Sequence, residues 1–290
     1  MHTTVEATFK KFLKTDLHKI KRYESTIILS NDTEALHQMR VSIRRMRSVI
    51  FIFKTAITTK TAKDIYTSLS DIASYFDRAR DIDVYIETFL KKEQLTPIEL
   101  QIYKIATKQR KDEYKKIKRF LRSKKYMKIM KKFKLWLKDR GYRIGLTKEQ
   151  LCILKEEVTR YALNRLQKYN AKIVSQGNIL ENNWEDEQAH RLRIKLKKMR
   201  YAVELFTPYF KKELEYFKKI LKELQDILGI IHDIYVIREL HKAFLHSNKH
   251  KELKDYTKKI EMYGITKKEK LKEEFFLKWA LYKQCELPNQ

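Results

Sequence analysis

Histidine, arginine and lysine at fixed spacing are the residues of this chain best suited to chemistry. His37, Arg40, Arg44 and Arg47 follow one another at three- and four-residue intervals, and His190, Arg193, Lys197 and Arg200 repeat the frame 153 positions later. Apolar positions correspond as well: Met39 with Leu192, Ile43 with Leu196, Met46 with Met199 and Phe53 with Phe206. On a helix turning about 100° per residue, the four cationic positions fall in an arc of roughly 80°. Met39, Ile43, Met46, Ile50 and Phe53 fill a neighbouring arc of about the same width. The cations therefore stand beside the core-facing stripe and not opposite it, a position that suits the lining of a groove or the mouth of a bundle. One such helix could equally be an ordinary amphipathic helix with a solvated basic face. Two copies in one frame argue for a shared task.

That task, judged by residue type, is holding anions. Arginine offers a bidentate fork to phosphate and lysine a mobile point charge. A histidine beside phosphate is held protonated by it and donates from either nitrogen. Metal binding would need three or four converging ligands, and the motif supplies one histidine per helix amid cations. General-base catalysis would need a substrate group and an orienting carboxylate. Asp81 and Asp233 lie on apolar-rich segments; they are either surface carboxylates or partners that hold a motif cation in place.

Composition sets the wider limits. The chain has 290 residues and a formal net charge of +28, so a polyanion is the natural partner. Residues 1–145 carry net +19 and residues 146–290 net +9; between Lys104 and Lys138 there are 16 basic residues against Asp112 and Glu113 alone. Five glycines and three prolines in such a length favour long helices with short connections. Cys152 and Cys285, the two cysteines, make neither a disulfide framework nor a zinc site. No apolar run approaches the roughly 18 residues of a membrane span, and no signal peptide is recognisable. A cytoplasmic protein without a cofactor is expected. Its 17 tyrosines and 14 phenylalanines sit at helical core spacing, which weakens single-stranded nucleic acid as the specific ligand. RNA or DNA held by the same basic surface remains the alternative partner.

The elements that must position the motifs read as helices throughout. Helices are expected over 5–29, 34–57 (first motif), 61–93 with a kink near 77–80, 97–122 after the capping box Thr96-Pro97-Ile98-Glu99, and 124–139. Arg140–Thr147 holds two glycines and reads as a linker, dividing the chain into halves 1–140 and 148–290. Thr147-Lys148-Glu149-Gln150 is a second capping box. Helices then follow over 148–175, ended by Gly177, over 184–206 (second motif) and over 210–246. A last pair is divided by Gly264 and a third box at Thr266–Glu269. The repeat extends past the opening motif: Arg80-Asp81-Ile82 aligns with His232-Asp233-Ile234 at an offset of 152. Two motifs repeated at nearly the same separation indicate an internal duplication.

These residues resemble the CHAD family, the conserved histidine α-helical domain. The resemblance rests on His37-x-x-Arg40-Val-x-Ile-Arg44-Arg-x-Arg47 with Arg80-Asp81-Ile-Asp-Val84, and on His190-x-x-Arg193-Ile-x-x-Lys197-Lys-x-Arg200-Tyr201 with Gly229-x-x-His232-Asp233. It implies two pseudo-twofold-related four-helix bundles with a basic central groove or pore. It also implies non-enzymatic binding of inorganic polyphosphate, with targeting to polyphosphate granules. Asp77 stands opposite Gly229, where the family often has glycine in both halves. The basic segment 104–138 has no equally basic counterpart near 249–284. No fused catalytic domain of the triphosphate-tunnel type is expected.

Overall fold

A computed structural model describes residues 3–91, 93–210, 213–246 and 251–288. Ten α-helices carry the described chain: α1 Val5–Leu29, α2 Thr33–Ile52, α3 Thr59–Tyr85, α4 Pro97–Leu121, α5 Lys124–Lys138, α6 Lys148–Lys155, α7 Val158–Asn182, α8 Asp186–Phe206, α9 Glu215–His246 and α10 Lys251–Lys283. Among the described residues there is no strand, only an isolated bridge between Thr4 and Glu157. The all-α expectation from glycine and proline scarcity is met. Two compact units divide the chain, residues 1–158 and 159–290.

Local chemistry explains several helix starts. Thr96 accepts from the Glu99 amide while the Glu99 carboxylate accepts from the Thr96 amide, and Thr147 and Gln150 do the same. Both boxes satisfy amides that the first turn leaves unpaired. Asp32 caps α2 by accepting from Ala35 at 2.9 Å, which fixes where the first motif helix begins.

In the first unit, Phe9 of α1 is the hub of an aromatic cluster, with ring centroids 5.5 Å from Phe53, 6.0 Å from Trp136 and 5.1 Å from Tyr142. Tyr142 is fully buried and its hydroxyl donates to Glu6 at 2.7 Å. The Gly141 carbonyl accepts from Thr61. The segment 141–147, expected as a linker, is thus tied into the first unit at its start, and α6 after it packs on α1.

α3 differs from expectation as well. It runs without a break through 77–80, and a π-helical turn over Ile86–Leu90 follows it. Asp83, 4 % exposed, joins α3 to α4 by accepting from Arg110 Nε at 2.6 Å and the Tyr114 hydroxyl at 2.7 Å. A carboxylate buried this deeply requires such partners.

Where the first unit gives way to the second, the chain breaks at Glu156, whose backbone is extended, and then runs as one helix from Val158 to Asn182. Gly177 does not end it. A Cβ on Gly177 would stand 2.0 Å from the indole of fully buried Trp279 on α10, so the glycine exists to let α10 approach. Gly264 does not divide the last helix either; it faces Ile234, and Thr266 donates to the Met262 carbonyl inside an unbroken α10.

These packings set opposite signs for two alanine substitutions. Alanine is favoured over glycine in a helix interior by about 1 kcal/mol. At Gly229 a Cβ meets nothing within 4 Å, so Gly229→Ala should stabilise by about that amount. At Gly177 the clash outweighs the propensity, since overpacking a tight core costs about 1–3 kcal/mol. Chemical denaturation of both variants checks this pair of signs.

Candidate functional site

In the first unit α2 packs along α3, and the motif cations lie on α2 beside its buried stripe of Met39, Ile43 and Met46. His37, Arg40, Arg44 and Arg47 are all half-buried. Arg40 Nη1 lies 2.8 Å from an Asp77 carboxylate oxygen on α3. Asp81, one turn further on, also acts on Arg40 and favours its charge, while burial and the neighbouring Arg44 and Arg80 oppose it. Arg47 reaches the Tyr66 hydroxyl at 3.3 Å, its guanidinium 4.9 Å from that ring's centroid. His37 is held below the usual imidazole range by burial first, then by Arg80, Arg44 and Arg40; Glu34 pulls the other way. Arg80, half-buried on α3, therefore belongs to the same electrostatic cluster.

In the second unit the second motif lies on α8, which packs along α9. Arg193, Lys197 and Arg200 are half-buried and His190 is exposed. Arg200 lies over Tyr201 and 3.6 Å from Glu204. The His190 and His232 rings stand 5.3 Å apart. His232 is pushed down to about 4 by burial, then by Arg193, His190 and Lys197. His190 is lowered by burial, Arg193 and Lys197. Asp233 is exposed on α9, whereas Asp81 is half-buried on α3.

Each unit thus brings its motif cations together and adds one group from the next helix: Arg80 in the first, His232 in the second. Neither was among the expected site residues, although aligning the repeat had set them opposite each other. Asp77, a carboxylate in direct contact with Arg40, was marked in the sequence as a departure from glycine and as part of the expected kink. What the cluster can do is receive negative charge. Burial first, and the surrounding cations second, disfavour the charged form of its histidines, and an anion would oppose the second of these effects.

A family model, the CHAD domain, matches residues 11–242. The chain belongs to the CHAD-domain family. Two solved structures share its fold. The crystal structure of the CHAD domain from the plant Ricinus communis superposes with a TM-score of 0.79 at 21 % identity, over 96 % of this chain and 92 % of that one. PptA from Streptomyces chartreusis gives 0.70 at 13 % identity, over 96 % and 100 %. No curated protein matches the sequence. At these identities the likeness concerns the fold: the CHAD arrangement of helices, with α2 and α8 carrying the histidine motifs. Among the described residues no helix is long and apolar enough to cross a membrane.

Proposed function

We propose that this CHAD-domain chain is a non-enzymatic binding module for inorganic polyphosphate, built by internal duplication and acting in the cytoplasm, on polyphosphate granules. The observation that carries the reading is the repeated cluster. Half-buried Arg40, Arg44 and Arg47 with His37, and Arg193, Lys197 and Arg200 with His190, stand beside the core on the motif helix of each unit. Half-burial lowers the local dielectric and strengthens each charge-assisted contact compared with a solvated lysine. Polyphosphate is a flexible chain with about one negative charge per phosphate. It asks for a row of donors and for no base-reading geometry. Asp77 and Asp81 hold Arg40 in place in this reading, and Asp233 is the second unit's counterpart of Asp81.

Competition tests this against the nucleic-acid reading. Labelled long-chain polyphosphate bound to the full chain is challenged at one salt concentration with unlabelled polyphosphate, single-stranded RNA and duplex DNA, matched in phosphate content. Polyphosphate should displace the label at far lower concentration than either nucleic acid. Equal displacement by RNA would replace the proposal with a general nucleic-acid binder.

A further inference from the structure

The two units differ at a place where the second helix of each pair meets the stripe. Arg80 acts on His37 in the first unit, and its counterpart in the second is His232, whose ring is tilted 39° to that of His190 at 5.3 Å. The charged groups acting on His232 are Arg193, His190 and Lys197, all from α8. On its own helix the Tyr235 ring lies 6.5 Å away. From α10, Gly264 stands opposite Ile234, two positions along, and brings no charge. In the first unit, Glu34 and the cations Arg40, Arg44 and Arg80 act on His37. Two facing imidazoles flanked by permanent cations form a pair whose charged form is disfavoured until negative charge arrives.

We propose that His232 is an anion-contacting residue of the second unit and, paired with His190, makes phosphate capture there proton-coupled, whereas Arg80 supplies a permanent charge at the corresponding place in the first. The inference rests on the polyphosphate reading. Phosphate oxygens entering between the rings offset the repulsion from Arg193 and Lys197. Each imidazole then takes one proton from solvent and donates an N–H to the anion. Binding therefore raises the imidazole pKa, and affinity must rise as pH falls. The gain extends from the bound-state pKa down to the free-state value, about 4 for His232, and levels off below it. The second unit has two imidazoles to charge and the first has His37 alone.

A reciprocal swap tests this. Affinity for long-chain polyphosphate, whose inner phosphates do not titrate in this range, is measured at fixed salt from about pH 8 to about pH 5 for the native chain, His232→Arg and Arg80→His. Each imidazole that protonates on binding contributes up to about tenfold per pH unit. His232→Arg should flatten the pH profile and bind more tightly than the native chain at the alkaline end. Arg80→His should steepen the profile and bind more weakly there. Should either variant fail to fold, calorimetry of the native chain in two buffers of different ionisation heat reads proton uptake directly, and uptake is expected. Native-chain binding without proton uptake, or profiles unchanged by both swaps, would overturn the inference and leave the polyphosphate reading standing. Absence of polyphosphate binding at every pH would sink that reading, and the inference with it.

Discussion

Replacing Arg40 and Arg44 together by alanine should weaken polyphosphate binding about tenfold or more, and replacing Arg193 and Lys197 should do the same. A charge-assisted contact is worth roughly 1.5–3 kcal/mol when shielded and less than about 1 kcal/mol when exposed. All four side chains are half-buried, so they fall between those limits, and two lost contacts exceed one decade. The first pair should cost more. Arg40 lies against Asp77, and its removal leaves that carboxylate facing the ligand without its cation. Asp77 is 57 % exposed, so water solvates it once Arg40 is gone and the fold loses little. Titration of labelled polyphosphate, with circular dichroism on each variant, reads both parts of the expectation.

Affinity for polyphosphate should also collapse with salt. A dense polyanion releases condensed counterions when its charges are neutralised, and the slope of log K against log salt is about 0.7 per contacted phosphate for a single strand. The six motif arginines and lysines, three in each unit, together with Arg80 would engage several phosphates. Raising salt from about 50 to about 200 mM should then cost on the order of a thousandfold. A slope near that of one or two contacts would mean a small-anion pocket. Pyrophosphate would then compete as well as long chains at matched phosphate content, whereas a chain that fills several sites gains from their linkage.

Features with a local cause were legible in the sequence. The capping boxes at Thr96 and Thr147 and the stripe of cations beside Met39, Ile43 and Met46 depend on residues within one or two turns. Features set by a distant partner were not. Gly177 resembles a helix end by composition, but the indole of Trp279, about a hundred residues on, is what requires it. Thr266 has the spacing of a cap, yet its hydroxyl is taken by Met262 in a continuous helix. Gly141 and Tyr142 looked like linker residues because the aromatic cluster that buries Tyr142 is assembled from Phe9 and Trp136. The site divides the same way. Each motif was complete on its own helix, while Arg80, His232 and Asp77 join from the next helix, and only the alignment of the two repeats hinted at them.

The central claim is that organised clusters, and not diffuse charge, bind the ligand. One side-by-side titration tests it most directly. At a single salt concentration, labelled polyphosphate is titrated into the native chain, into Arg40→Ala/Arg44→Ala, and into Lys128→Ala/Lys131→Ala, which removes the same charge from the exposed face of α5. A loss of about tenfold or more is expected for the α2 pair and less than about threefold for the α5 pair. Equal losses from the two would contradict it.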